Sequence, residues 1–114
     1  ASPAISNQIY FFDFDKAIVK EESKAALEEI AKLLKSKSDL NLYVVGHTDM
    51  KGELVYNLKL SEDRAQAVVD KLVEVYGINR SRLEAKGVGP LVPVLSNQAE
   101  AGRSQNRRVE LVEK

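Results

Sequence analysis

The chain contains no cysteine, one histidine, three prolines and no excess of either charge. Without cysteine there is neither a disulfide frame nor a thiolate metal site, although that absence leaves the compartment open. Seventeen basic and seventeen acidic residues cancel, whereas a nucleic-acid binder normally carries a basic surplus that displaces counterions from phosphates. No nucleic-acid partner is therefore expected, while a local charged pocket remains compatible with the neutral total. No apolar run approaches the ~18 residues of a spanning helix, and no basic start followed by an apolar stretch marks a leader. The chain is expected to be a mature domain or an expressed fragment, linked to a membrane only through a segment of its parent. The single histidine also limits catalysis. A Ser-His-Asp triad would have to use His47, no Gly-x-Ser-x-Gly elbow is present, and zinc favours several His or Cys ligands. No catalytic residue, metal or cofactor is expected, and His47 reads as a strand-end residue making a structural hydrogen bond.

What is present describes an ordinary small domain. The 114 residues, 44% hydrophobic and 30% charged, fit one domain over 1–114 that buries roughly two thirds of its unfolded surface. Residues 5–14 are rich in aromatic and β-branched types and read as a strand. From Glu21 to about Lys37 the period becomes helical through Ala26, Leu27, Ile30, Leu33 and Leu34, with Glu28 and Lys32 spaced as an i,i+4 pair. Leu40, Leu42 and Val44 form a strand leading into Gly46-His47-Thr48-Asp49. A second helix is expected from Ser61, whose hydroxyl suits an N-cap, with a core face of Ala65, Val68, Val69, Leu72 and Tyr76 and a stop at Gly77. Leu83–Val88 is a short strand, residues 87–97 a loop, Ala99–Gly102 one helical turn, and Arg108–Val112 a last strand. The expected fold is an α/β (α+β) two-layer sandwich. Its mixed four-stranded sheet carries two main helices on one face, in the order β-α-β-α-β-β, with a short extra helix before the last strand.

Two charged residues stand out. Asp49-Met50-Lys51-Gly52 carries a type I turn signature, and Arg64 flanks the buried face of the second helix on a stripe with Asn57, Ser61 and Val68. If the strand after Val45 delivers Asp49 to that end, the two either pair with each other or grip the opposite charges of a zwitterionic ligand. Gly87-Val88-Gly89 is too short for a dinucleotide fingerprint and no Gly-Lys-Ser/Thr follows a glycine loop, so the glycines read as a tight turn before Pro90.

Several segments together resemble the OmpA-like peptidoglycan-associated domain family. They are Phe12-Asp13-Phe14-Asp15-Lys16-Ala17, Gly46-His47-Thr48-Asp49-Met50-Lys51-Gly52, Asn57, Leu60-Ser61-Glu62-Asp63-Arg64-Ala65, Gly87-Val88-Gly89, Pro93, Asn97, and Gly102-Arg103-Ser104-Gln105-Asn106-Arg107-Arg108-Val109-Glu110. Their order and spacing cover residues 9 to 112. The resemblance implies a non-catalytic periplasmic domain that holds peptidoglycan through the diaminopimelate of its stem peptide, anchoring an outer-membrane protein or lipoprotein to the wall. By that resemblance Asp49 takes the diaminopimelate ammonium and Arg64 its carboxylate. Phe14 and Asp15 stand at the pocket edge, Thr48 beside the acid, Asn57 and Leu60 on the helical wall, and Arg107 either adds a contact or forms a strand-end salt bridge. The chain departs from the family at Met50 and Lys51 in the turn. It departs again at Leu91, Val92, Val94 and Leu95, which either pack inward or form a contact patch. The alternatives are a flagellar stator's wall-binding domain and a protein-interaction domain that has lost its ligand. An enzyme acting on wall peptides through Asp49 or His47 lacks an accompanying nucleophile or metal set. Oligomeric state is not legible in the sequence.

Overall fold

In the helix that runs Lys24–Ser36 (α1), Leu27, Ile30, Ala31 and Leu34 are buried, because spacings of three and four residues return to one side of a 3.6-residue turn. The structure, a computed structural model, describes the backbone of residues 5–9 and the whole of residues 16, 17 and 19–114. A 3₁₀ turn over Glu21–Ser23 leads into α1. At its other end the Arg82 guanidinium donates to the carbonyls of Leu34, Lys37 and Leu40, supplying donors where the helix itself has none. Lys32 lies 3.9 Å from Glu29, so the pairing is i,i+3 and not the expected one with Glu28.

The strands are Ile5–Ile9 (β1), Leu42–Gly46 (β2), Leu83–Gly87 (β3) and Val109–Glu113 (β4). β2 is central: β3 runs parallel to it with Leu42 opposite Leu83 and Gly46 opposite Gly87, and β4 antiparallel with Gly46 opposite Val109. β1 meets the outer side of β4 at two positions with a register shift between them, giving the order β1-β4-β2-β3. A parallel pair needs a long crossover, and β2 and β3 are joined by the helix Leu54–Glu74 (α2). Leu42, Val44, Val109 and Leu111 are fully buried against Ile30, Leu34, Val68 and Leu72, so both long helices cover one face. Each such aliphatic side chain contributes roughly 1.5–3 kcal/mol by leaving water. The expected α+β class with a mixed sheet is found; residues 10–14 of the expected first strand lie outside the described residues.

The second helix departs from expectation. It begins at Leu54, seven residues before Ser61, and Ser61 is fully buried in its interior. The early turns conceal themselves because Leu54, Val55 and Tyr56 face solvent while the buried positions, Asn57 and Ser61, are polar. A search for an apolar stripe therefore meets the helix only at Ala65. The stop at Gly77 is as expected: its φ is +73° and the Ile78 N–H closes on the Leu72 carbonyl.

Ser61 is the point where α2 touches the sheet. A Cβ added at Gly46 would stand 2.8 Å from the Ser61 carbonyl carbon and 3.2 Å from the Ala65 nitrogen; one at Gly87 would collide with the Ser61 hydroxyl and the Glu62 nitrogen. The Ser61 hydroxyl donates to the Leu58 carbonyl and accepts from the Gly89 N–H at 2.9 Å. Glycine at the ends of both parallel strands thus lets the helix backbone sit directly on the sheet.

The last helix spans Glu100–Asn106 (α3), longer than the expected single turn at 99–102. Its buried Asn106 accepts from the Val94 and Leu95 N–H groups and donates to the Leu95 carbonyl. Arg108 donates to the Val92 carbonyl. The backbone of 92–95 is pinned in this way, and the side chains of Leu91, Val92, Val94 and Leu95 point outward to solvent.

Candidate functional site

The segment after the C-terminal end of β2, the first turns of α2 and the junction of α3 with β4 converge on one pocket of about 140 Å³. Thr48, Asp49, Lys51, Gly52, Tyr56, Asn57, Leu60, Arg64 and Arg107 line it. Residues from 48 to 107 meet there because the parallel β2-α2-β3 crossover brings the start of α2 beside the end of β2, and β4 returns alongside.

Asp49 is 2% exposed and held on both sides. One carboxylate oxygen accepts from the Lys51 N–H at 3.0 Å, the local turn its sequence announces. The other accepts from the Arg107 guanidinium at 2.9 Å. A carboxylate offers about four lone-pair positions, so these two bonds orient Asp49 without saturating it. Asp49 therefore pairs with Arg107 and not with Arg64, which answers the pairing question the sequence left open. Thr48 donates its hydroxyl to the Asp49 carbonyl and its N–H to the Gly89 carbonyl, tying the turn to the end of β3.

Arg64 is 1% exposed. Its Nε donates to the Lys16 carbonyl at 2.8 Å and one terminal nitrogen to the His47 carbonyl at 3.0 Å. These two bonds to backbone carbonyls fix the direction of the guanidinium, which lines the pocket. Asn57 donates to the Lys51 carbonyl at 2.9 Å and locks the 49–52 turn onto α2. Leu60 supplies the apolar wall.

Arg107 is shared. Its second terminal nitrogen donates to Glu100 at 2.6 Å while the first serves Asp49. Burial works against its charge, but the hydrogen bonds it donates to Glu100 and Asp49 prevail and raise its pKa; the bond from Arg107 in turn lowers that of Glu100. The salt-bridge reading of Arg107 is realised, at a position that also faces the pocket.

His47 corrects an expectation. Its backbone N–H donates to the Arg108 carbonyl, yet both ring nitrogens are buried without a hydrogen-bond partner. The nearest ionised group is Glu110, 3.5 Å from Nε2 and itself held by Arg108. Burial, followed by the Arg108 charge, pushes the imidazole pKa down to about 4 against the pull of Glu110. A neutral ring whose two nitrogens have no hydrogen-bond partner suits packing beneath the site.

Of the expected site residues, Thr48, Asp49, Asn57, Leu60, Arg64 and Arg107 come together around one pocket. Phe14 and Asp15 lie outside the described residues. Lys51, Gly52 and Tyr56 also line the pocket, and Glu100 braces Arg107, none of which the sequence had indicated. With α2 begun at Leu54, the series Tyr56, Leu60, Arg64 becomes an i,i+4 row, a signal hidden while the helix was started at Ser61. Among the described residues no group of three His, Cys, Asp or Glu is placed to hold a metal ion.

Comparison with known proteins bears on this arrangement. A family model described as the OmpA family matches residues 11–107. The chain is 48% identical over 99 residues to outer membrane porin F of Pseudomonas aeruginosa, a match covering 87% of this chain and 28% of the porin. It is 39% identical over 102 residues to the peptidoglycan-associated lipoprotein of the same organism, covering 90% of this chain and 60% of that protein. In three dimensions it superposes on the peptidoglycan-associated lipoprotein from Burkholderia pseudomallei with a TM-score of 0.87 and 35% identity, covering 96% of this chain and 91% of that one. The chain spans 28% of the porin's length and 60% of the Pseudomonas lipoprotein's, less than two thirds of either.

Proposed function

This chain belongs to the OmpA family, and we propose from that premise that it binds peptidoglycan non-covalently through the diaminopimelate residue of the stem peptide. In doing so it anchors a parent outer-membrane protein or lipoprotein to the cell wall from the periplasm. The observation that carries the reading is that one pocket holds a fixed carboxylate, Asp49, and a fixed guanidinium, Arg64, with Arg107 beside the acid. A side chain ending in both an ammonium and a carboxylate meets Asp49 with the first and Arg64 with the second. Lysine, which carries the ammonium alone, leaves the arginine unanswered and is rejected. Thr48 and Asn57 hold the acidic turn in place, and Leu60 covers the methylene stem. Names of relatives such as peptidoglycan-associated lipoprotein support the wall as the partner. Charge-assisted hydrogen bonds contribute about 1.5–3 kcal/mol each, so a single site binds modestly and firm anchoring comes from many copies facing one polymer.

The test is an NMR titration of the ¹⁵N-labelled chain with meso-diaminopimelate beside lysine. The reading expects saturable shifts at Thr48, Asp49, Leu60 and Arg64 with diaminopimelate only, abolished by Asp49→Ala. Silence at those residues, even with a purified stem-peptide fragment, would overturn it.

A further inference from the structure

A second pocket, about 170 Å³ and thus larger than the first, lies between the 3₁₀ turn that leads into α1 and the C-terminal turns of α2. It shares no lining residue with the first pocket, and Lys71 and Val75 stand about 10–16 Å beyond Arg64 along the α2 axis. Three lysines reach it from separate segments: Lys20 before the 3₁₀ turn, Lys24 at the start of α1 and Lys71 in the last turn of α2. Among the described residues Glu21 is the only acid in the lining. Lys20 pairs with Glu22 at 3.4 Å, whereas Lys24 and Lys71 form no ion pair among the described residues. The rest of the described lining is apolar: buried Leu27, half-buried Val19 and Tyr76, and Val75, which stays 62% exposed.

Three lysines around one concave, partly apolar space disfavour one another, and an anion held among them relieves that repulsion. We propose that this pocket binds a small amphiphilic carboxylate, namely the C-terminal residue of a peptide with a short aliphatic side chain. Size and surface select this class. A cavity of about 150 Å³ accommodates a benzene-sized guest, which matches the heavy atoms of one terminal alanyl residue and leaves no room for an acyl chain with its headgroup. Inorganic phosphate would satisfy the lysines but leave the Leu27–Val75–Tyr76 wall uncovered. A peptide carboxylate pairs with Lys24 and Lys71 while its side chain covers that wall. The inference is independent of the wall-binding reading of the first pocket, since its residues and its ligand group are different.

The test is a ¹⁵N NMR titration of the chain with N-acetylalanylalanine, its C-terminal amide and inorganic phosphate in parallel, repeated on the Lys24→Gln, Lys71→Gln double variant. Both lysines are exposed and hold no core contact, so the variant should keep the parent spectrum elsewhere. The proposal expects saturable shifts at Glu21, Lys24, Lys71, Val75 and Tyr76 with the free acid. The double variant should weaken binding by about tenfold or more, and Thr48, Asp49 and Leu60 should stay still. Absence of shifts, equal shifts with the amide or with phosphate, or unchanged affinity in the double variant would each overturn it.

Discussion

Gly46→Ala is the sharpest probe of how this site is built. The added methyl would collide with the Ser61 carbonyl oxygen and stand 2.8 Å from its carbon and 3.2 Å from the Ala65 nitrogen, against an optimum of about 3.5–4.0 Å for carbon contacts. β2 and α2 must therefore part by about 1.5 Å to clear the carbonyl oxygen. Overpacking typically costs about 1–3 kcal/mol where side chains can turn aside. Here the obstruction is helix backbone anchored by Val68 and Leu72, both fully buried, so the cost belongs at the upper end, about 3 kcal/mol. For a domain of this size that amounts to a fall in Tm of about 10–15 °C. Thermal unfolding followed by circular dichroism measures it. Gly77→Ala is the control: nothing lies within 4 Å of its added methyl, but its φ of +73° is unfavourable for alanine, giving about 1–2 kcal/mol from backbone strain alone. Because Gly46 leads directly into His47-Thr48-Asp49 and Ser61 sits one turn before Arg64, parting these elements also widens the space between Asp49 and Arg64. Diaminopimelate affinity should drop with stability. A Gly46→Ala protein that melts no lower than the Gly77→Ala control would refute the close-approach argument.

Other outcomes follow from the same contacts. His47 is held at a pKa of about 4 in the fold against an unfolded value of 6.5, so the unfolded state binds the proton more readily. Its contribution is intact above pH 6.5 and is lost as pH falls toward 4, by up to about 3 kcal/mol; urea midpoints across that window should show the loss, and His47→Gln should flatten it. Asn106→Ala removes the acceptor of the Val94 and Leu95 N–H groups; a stability loss of about 2 kcal/mol and faster hydrogen exchange at those two amides are expected, with unaltered exchange pointing to a different anchor for the loop. Ser61→Ala strips the buried Gly89 N–H of its acceptor and should cost about 1–3 kcal/mol, read by chemical denaturation. Glu100→Gln weakens the outer hold on Arg107 and leaves its bond to Asp49; NMR should find the fold unchanged and the Arg107 side-chain signals shifted.

Local and periodic features were legible in the sequence. The apolar spacing of Leu27, Ile30 and Leu34 defines α1, the alternation of Leu42 and Val44 defines β2, and Gly77 ends α2, because each depends on residues within a turn or two of one another. The Asp49 turn is equally local: its carboxylate needs only the N–H two residues on. The segment motifs carried the family and, with it, six pocket residues the structure brings together.

Tertiary structure decided the remainder. No short window reveals that Asp49 meets Arg107, fifty-eight positions away, because that contact exists only once β4 lies beside β2. The start of α2 was hidden for a related reason. Its first buried side chains are polar, Asn57 and Ser61, and they are buried to brace the 49–52 turn and to seat Gly89, tasks that a hydrophobic pattern cannot encode. The neutral state of His47 likewise depends on its burial beneath Arg108 and Glu110. By itself the sequence determined most of the elements, their order and two charges of the pocket, Asp49 and Arg64, since these rest on short-range periodicity and residue chemistry. Which carboxylate faces which guanidinium, and how closely helix and sheet approach at Gly46, Gly87 and Ser61, rested on long-range packing that only the folded chain supplies.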